Sequence, residues 1–268
     1  MFSGFELFGK TISTYFIAAL AGIFVAGIYT CRIAKKRGYD DNDLIVTLLI
    51  AAVGALIGGH MLYGITNISY WEYLLSADSV KKFLDYSVLI FGGSVFYGGL
   101  IGAIVAAEIY IRKKSWDFGA YSDMITPAIP LFHFFGRIGC FFGGCCYGIE
   151  CKLGITFHNS MLESANGVSR FPIQLAEAAF NICLFLFLNL MLKKGKLKGR
   201  LFYLYLLCYA PARFCFEFLR GDEYRGFLFG FSTSQIISII VFIGAFLLLA
   251  KKKYEDSINT KKHVIPKI

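Results

Sequence analysis

Charged residues and prolines are scarce in this chain of 268 residues. Only 17% of the residues are charged, whereas soluble domains have about 25%. The five prolines exclude collagen-like segments and long proline-rich linkers, and the composition also excludes a coiled coil and a small disulfide scaffold. Apolar residues are abundant instead, at 57%, and the mean hydropathy is +0.61. The composition predicts an all-α polytopic membrane protein, with a single membrane domain over residues 1–268.

Seven segments have the length and apolar character of helices that cross a bilayer core of about 30 Å. They are Thr14–Cys31, Leu44–Ile65, Val88–Ile111, Tyr121–Phe142, Ile173–Leu192, Leu201–Leu219 and Ser234–Ala250. The second, third and fourth are rich in glycine, which lets helix backbones approach closely. We therefore expect these three in the centre of the bundle. The first is too long, with charges on the wrong flank, for a cleaved signal peptide.

The net charge of +9 is distributed unevenly among the loops. One alternate set, which includes the basic tail 251–268, holds 18 lysines and arginines, and the other set holds 7. The positive-inside rule then predicts seven transmembrane helices with the N-terminus outside and the C-terminus cytoplasmic. Topology accounts for the basic character, so nucleic acid is not an expected partner. The long outer loops are 66–86, for which an interfacial helix is predicted, and 143–172.

Two arginines lie inside predicted spans, where a charge costs several kcal/mol unless it faces a cavity or a partner. Arg213 has Glu217 four residues later on the same helix face, which predicts an ion pair. Arg137 has no acid three or four residues away. We therefore expect Arg137 to have a partner elsewhere in the chain or an anionic ligand. A lipid phosphate suits the planar guanidinium.

Four cysteines cluster in the sequence at Cys140, Cys145, Cys146 and Cys151. The spacing lacks the Cys-x2-Cys pair of structural zinc sites, so no metal is predicted. Disulfides or plain buried thiols, a reactive thiol and a metal site all remain open interpretations. The four histidines do not form a site by spacing, although His133 shares a helix face with Arg137.

Several stretches together resemble the prolipoprotein diacylglyceryl transferase family. GRIGCFFGGCCYG at 136–148 is similar to the family signature G-R-I/L-G-N-F-x-N-G-E-x-x-G. Further similar stretches occur before and after this signature, in the order in which the family has them. They are Tyr15, AKKRGYD at 34–40, FYGGLIG at 96–102, RFPIQLAE at 170–177, RFCFEFLR at 213–220 and Ser234-Gln235.

The resemblance implies a bacterial cytoplasmic-membrane enzyme that moves a diacylglyceryl group from phosphatidylglycerol to the thiol of a lipobox cysteine. The implied partners are phosphatidylglycerol, a prolipoprotein signal peptide or another membrane acceptor, and the bilayer; no cofactor is implied. The implied catalytic residues are Arg137, Arg213, Tyr97 and Glu217. The implied substrate-binding residues are Tyr15, Gly98, Gly99, Gly136, Gly139, Cys140, Gly144, Cys145, Arg170 and Arg220.

The chain also departs from the family pattern near these residues. Cys140 and Gly143 replace two asparagines of the signature, and Cys145 replaces its glutamate. Tyr97 stands where the family has histidine, and Leu56 where it has arginine. Three alternatives therefore stay open: a divergent paralogue with another acceptor, a non-catalytic phospholipid-binding membrane protein, and a thiol-redox or metal protein that uses the cysteine cluster.

Overall fold

The computed structural model describes residues 4–7, 10–160, 162–195, 197–222, 227–228 and 230–264, which are mostly helical. Contacts divide the chain into two compact units. We call residues 1–30 and 122–268 the first unit, and residues 31–121 the second unit. The single membrane domain over residues 1–268 stays a prediction.

The described residues form ten α-helices and three small antiparallel sheets of two strands each. The helices are α1 Thr14–Lys36, α2 Asp41–Thr66, α3 Trp71–Leu75, α4 Val80–Phe91, α5 Phe96–Lys113, α6 Phe118–Ile125, α7 Ala128–Gly143, α8 Ile173–Lys193, α9 Leu201–Glu217 and α10 Thr233–Val264. The strand pairs are β1 Gly4–Leu7 with β2 Lys10–Ser13, β3 Glu150–Thr156 with β4 Ser169–Arg170, and β5 Phe227–Leu228 with β6 Phe231–Ser232.

Five helical segments are long and apolar enough to cross a membrane, which makes the architecture that of an all-α membrane protein. They are α1, α2, the α6–α7 segment Phe118–Gly143, α8, and the part of α10 from Thr233 to Tyr254. These five correspond to five of the seven predicted spans. The sixth predicted span forms α9, which has 17 residues and includes Arg213 and Glu217. Passage of α5 and α9 through the membrane stays a prediction.

The third predicted span, Val88–Ile111, is wrong at its N-terminal end. The helix that contains Val88 stops at Phe91, and a new helix starts at Phe96. Two consecutive glycines and a serine lie between them, and these residues favour loops over helix. Nδ1 of His60 lies 2.7 Å from the carbonyl oxygen of Phe91 and 2.8 Å from that of Gly93. A proton on Nδ1 therefore satisfies carbonyls that the helix end leaves without intrahelical partners.

The segment 66–86, for which an outer position is predicted, is partly helical. It contains a single 3₁₀ turn, Ile68–Tyr70, then α3 and the first half of α4. Nε1 of Trp71 donates to the carbonyl oxygen of Gly64 at 3.0 Å, which ties the segment to the end of α2. Its place at a membrane interface stays a prediction.

Glycines bring α2 and α5 into backbone contact inside the second unit. Gly54 and Gly58 on α2 face Gly98 and Gly102 on α5, and both pairs have the small-xxx-small spacing of close helix crossings. A Cβ atom added to Gly102 would overlap the carbonyl oxygen of Gly54. Side chains larger than hydrogen are therefore excluded from this crossing.

We predict that Gly102→Val lowers the stability of the chain by about 1–3 kcal/mol, because a larger side chain overpacks the crossing. The effect is measured by thermal unfolding in detergent, with the fraction of protein that stays monodisperse as the readout. Gly244→Val is the matched control, since a Cβ atom at Gly244 of α10 meets no atom within 4 Å. An equal loss of stability in both variants would contradict the packing role of Gly102.

Candidate active site

α7 carries a charged side chain into the apolar interior of the first unit. His133, Arg137 and Cys140 follow one another at intervals of four and three residues, so they share one face of this helix. Nε of Arg137 forms an ion pair with Oε2 of Glu177 on α8, which packs against α7. The side chain of Glu177 is 5% exposed and that of Arg137 is 21% exposed. The partner that Arg137 lacks in its own helix is therefore supplied by the neighbouring one.

Glu177 belongs to a row of buried polar side chains on α8. Gln174, Glu177 and Asn181 are spaced three and four residues apart and are all buried. Nε2 of Gln174 donates to the carbonyl oxygen of Cys145 at 2.9 Å, and Nδ2 of Asn181 donates to that of Glu177 at 2.8 Å. One side-chain oxygen of each residue has no hydrogen-bond partner among the described residues. Since buried polar atoms are normally paired, this face of α8 can accept hydrogen bonds from a polar ligand.

Arg213 on α9 is the second arginine in an apolar helix. Its Nη1 lies 2.6 Å from Oε2 of Glu217, which confirms the predicted ion pair. Its Nη2 donates to Oγ of Ser234 on α10 at 3.0 Å. These contacts fix the guanidinium between two packed helices, α9 and α10.

His133 links the two arginines. It interacts electrostatically with both Arg137 and Arg213, and its ring lies 5.6 Å from the ring of Tyr209 on α9, centroid to centroid. Tyr209 stacks in turn on Tyr205 at 5.5 Å. The arginines of α7 and α9 therefore both lie within electrostatic range of His133 in the first unit.

A folded loop follows α7 and has Arg170 at its centre. The guanidinium of Arg170 donates to the carbonyl oxygens of Ser164, at 2.9 Å, and Gly148, at 3.4 Å. It also lies 4.3 Å from the centre of the Tyr147 ring, a cation–π contact. These are contacts of a residue that organises the loop, and substrate binding by Arg170 stays a prediction.

Backbone hydrogen bonds join this loop to the end of α9. The amide of Ile149 donates to the carbonyl oxygen of Leu219 at 3.0 Å, and that of Gly221 donates to Tyr147 at 2.9 Å. A Cβ atom at Gly148 would overlap the carbonyl oxygen of Phe171. Arg220, which these bonds position, donates to both carboxylate oxygens of Asp222 at 2.9 and 2.6 Å.

Three cysteine sulfurs meet where α7 ends. The sulfurs of Cys140, Cys145 and Cys146 all lie within 4.8 Å of one another, whereas Cys151 lies in β3. All eight cysteines of the chain are free thiols. The pKa of Cys146 is lowered because the thiols of Cys140 and Cys145 hydrogen-bond to its sulfur, and because the charges of Arg220 and Arg137 favour its thiolate. The cluster therefore lies within electrostatic reach of two arginines.

The predicted substrate-binding residues on α1 and α7 differ in their surroundings. A Cβ atom at Gly136 would meet no atom within 4 Å, so the space beside Gly136 is open. A Cβ atom at Gly139 would lie 2.9 Å from Cβ of Ala18 and 3.1 Å from Cα of Tyr15, so Gly139 allows α1 to pack closely on α7. Gly144 has φ +72° and caps α7, a left-handed conformation that favours glycine.

Tyr97, Gly98 and Gly99 begin α5 in the second unit. A Cβ atom at Gly98 would overlap the carbonyl oxygen of Gly58, so the packing of α2 on α5 accounts for this glycine. Leu56, which replaces the family's arginine, is 64% exposed on α2. The roles predicted for Tyr97, Gly98 and Gly99 in the reaction stay predictions.

Comparison with known proteins matches residues 3–251 to the family model described as prolipoprotein diacylglyceryl transferase. The chain belongs to the prolipoprotein diacylglyceryl transferase family. A phosphatidylglycerol–prolipoprotein diacylglyceryl transferase of Clostridium tetani is 36% identical over 91% of this chain and 94% of the relative. An enzyme of Clostridium perfringens with the same name and the number 2 is 35% identical over 91% of this chain and 92% of the relative. A Clostridioides difficile enzyme of the first name is 30% identical over 95% of this chain and 97% of the relative.

Two candidate site residues, Glu177 and Gln174, are absent from the set that the family resemblance implies. Both lie in the stretch 170–177 that carries part of the resemblance. Glu177 also lies inside a predicted span, and an acid inside a span is itself a signal of a functional site. Only the packing of α8 on α7 shows that it belongs with Arg137.

Loss of the buried ion pair has a predictable cost in this family member. We expect Glu177→Ala to lower stability by about 3–5 kcal/mol, because it leaves the charge of Arg137 without its partner. Glu108→Ala is the control, since Glu108 pairs with Arg112 at the surface, where such pairs contribute about 0–1 kcal/mol. Thermal unfolding of both variants in one detergent makes the comparison. Equal destabilisation would show that Arg137 does not depend on Glu177.

Proposed function

We propose that this chain transfers the diacylglyceryl group of phosphatidylglycerol to the thiol of a prolipoprotein lipobox cysteine. A carbon–oxygen bond of the donor breaks at the glycerol carbon, glycerol phosphate leaves, and a thioether forms. Family membership and the names of the relatives support this reaction. The observation that carries it is a cation in an apolar helix: Nε of Arg137 pairs with the buried carboxylate of Glu177, while the Arg137 side chain stays 21% exposed.

The orientation of Arg137 suits the stabilisation of a leaving phosphate. Two terminal N–H groups of one guanidinium bind two oxygens of a phosphate in a planar, bidentate arrangement. Negative charge builds up on the phosphate as the carbon–oxygen bond breaks, so a fixed donor there lowers the barrier. The low dielectric of a membrane-embedded site strengthens this attraction. Glu177 acts through Arg137 and is therefore a positioning residue.

Arg213 supplies a second positive charge to the same site, and Glu217 positions it. Helices α9 and α10 line an open groove of about 360 Å³ that is almost entirely apolar. The lining includes Pro211, Phe214, Ile239 and Phe242. A cation next to an apolar groove matches a phospholipid, whose phosphate and acyl chains need these two environments. We assign the groove to an acyl chain of the donor.

The other residues that the family resemblance implies have proposed roles in the reaction too, each within its own unit. We assign the hydroxyl of Tyr97 the role of orienting a substrate through a hydrogen bond. The open space beside Gly136 admits the substrate next to Arg137. The remaining proposed contacts with substrate are Tyr15, Gly98, Gly99, Gly139, Cys140, Gly144, Cys145, Arg170 and Arg220.

We propose seven membrane spans in a bacterial cytoplasmic membrane, with the N-terminus outside and the C-terminus in the cytoplasm. The asymmetry of 18 against 7 positive residues supports this orientation. In the proposed orientation, the loop 143–172 and the adjoining cysteine cluster lie toward the outer leaflet.

We predict that Arg137→Ala reduces transfer by at least about 100-fold, the effect of removing one preorganised donor from a transition state. Arg137→Lys should also lose most activity, because an ammonium group lacks the planar fork. The assay follows labelled phosphatidylglycerol onto a lipobox peptide. Arg112→Ala, at the surface, should transfer like the wild type. Wild-type turnover in Arg137→Ala would remove Arg137 from the mechanism.

Membrane orientation has its own test. A cysteine introduced at Lys152 should react with an impermeant maleimide in intact cells, and one introduced at Lys198 should react only after lysis. Both positions are exposed in the structure. Mass spectrometry separates the introduced cysteine from the native thiols. Labelling of the Lys198 variant but not the Lys152 variant in intact cells would invert the proposed topology.

A further inference from the structure

The three-cysteine cluster is built by a sharp change of chain direction after α7. Cys140 lies in the last turn of the helix and is buried. Gly144 then takes a left-handed conformation, and Cys146 does the same with φ +53°. Such a φ is uncommon for a residue other than glycine and costs about 1–3 kcal/mol. The chain holds this conformation, and in it three sulfurs come together.

The spacing of the sulfurs fits a metal ion. Zinc–sulfur bonds are about 2.3 Å, so two sulfurs on one tetrahedral zinc ion are roughly 3.8 Å apart. The observed separations, all within 4.8 Å, approach that value and need small side-chain rotations to reach it. Among the described residues, this is the one group of three or more histidine, cysteine or acidic side chains with ligand atoms so close. Thiolates select soft or borderline metals such as zinc and copper(I).

We propose that Cys140, Cys145 and Cys146 bind one zinc ion through three thiolates and leave its fourth coordination position for the thiol of the acceptor cysteine. Three protein ligands with one open position are the arrangement of catalytic zinc, whereas structural zinc sites have four protein ligands. The acceptor part of this proposal rests on the proposed transferase function; the metal site itself does not.

The site has positive charge nearby to balance the thiolates. Arg137 lies three residues before Cys140 on the same helix face. Arg137 and Arg220 both interact electrostatically with Cys146. A zinc ion with three or four thiolates carries net negative charge, and these two guanidinium groups reduce the cost of holding it in a membrane protein. The same Arg137 presents its terminal nitrogens to the donor phosphate, so acceptor sulfur and leaving group would be adjacent.

The proposed transfer conserves atoms, protons and electrons. Zinc binding releases the protons of the three cysteine thiols to water. The acceptor thiol displaces the water on zinc and loses its proton to solvent, because a thiol that coordinates zinc is deprotonated. Its sulfur then forms a bond with the glycerol carbon while the electron pair of the carbon–oxygen bond leaves with glycerol phosphate. The neutral thioether dissociates from zinc and water returns, with no change of oxidation state.

Cobalt(II) is the probe for the site, because it replaces zinc and its tetrahedral thiolate complexes absorb visible light. The full chain is reduced, freed of reductant and placed in phosphatidylcholine nanodiscs, where no donor is present. We expect one equivalent of cobalt with tetrahedral thiolate bands, displacement by zinc, and zinc protection of three thiols from a thiol reagent. Less than about 0.1 equivalent bound, or paired loss of thiols to disulfide without metal, would overturn the site.

Variants assign the ligands. Cys145→Ser and Cys146→Ser should each weaken cobalt binding at least tenfold. Cys151→Ser, in β3, and Cys183→Ser, exposed on α8, should bind like the wild type. Equal weakening in Cys151→Ser would place the metal elsewhere. If a serine variant fails to fold, the number of wild-type thiols that zinc protects from the reagent tests the site instead.

A lipobox peptide tests the open position. Its cysteine should shift the cobalt bands, and the same peptide with serine should not. Unchanged bands with the cysteine peptide would overturn the acceptor role. Transfer from phosphatidylglycerol is assayed separately on the zinc-loaded wild type. A chain that binds cobalt and shifts its bands but never transfers would refute the proposed function and leave the metal site standing.

Discussion

The ion pair between Arg137 and Glu177 is the interaction on which the first unit depends. A guanidinium in an apolar helix has no water to solvate it, so a carboxylate from another helix must lie against it. That requirement fixes the rotation of α8 relative to α7 and brings Gln174 and Asn181 to the same buried face. The pair uses Nε of the arginine, whose side chain stays 21% exposed and can still meet a ligand. One contact thus stabilises the packing and orients the candidate catalytic group.

The loop after α7 extends this constraint to the end of the bundle. Its backbone bonds to the residues that follow α9, while Arg170 holds its interior together through carbonyl oxygens and the Tyr147 ring. The same connections hold Arg220 within electrostatic range of Cys146. The loop is therefore part of the site, since it positions both an arginine and two of the three clustered thiols.

The departures from the family signature are concentrated at this junction. Cysteines occupy positions where the signature has an asparagine and a glutamate, and a third cysteine adjoins them. Each substitution alone removes a polar group from the site, whereas the fold makes the three sulfurs neighbours. The retained Arg137 and Arg220 lie within electrostatic range of this cluster, where they favour the thiolate of Cys146.

The sequence alone determined the membrane class, the positions of most helices, the family and the pairing of Arg213 with Glu217. These follow from local quantities: apolar length, charge in apolar surroundings, and motifs of consecutive residues. It placed the start of the third span wrongly, because a run of apolar residues and glycines does not show where His60 satisfies the carbonyls of an interrupted helix. Tertiary structure decided that Glu177, forty residues from Arg137, is its partner, and that Cys140, Cys145 and Cys146 meet while Cys151 does not. Partners of buried charges and sulfurs depend on helix rotation and on the left-handed turn at Gly144, and the packing of the whole unit sets both.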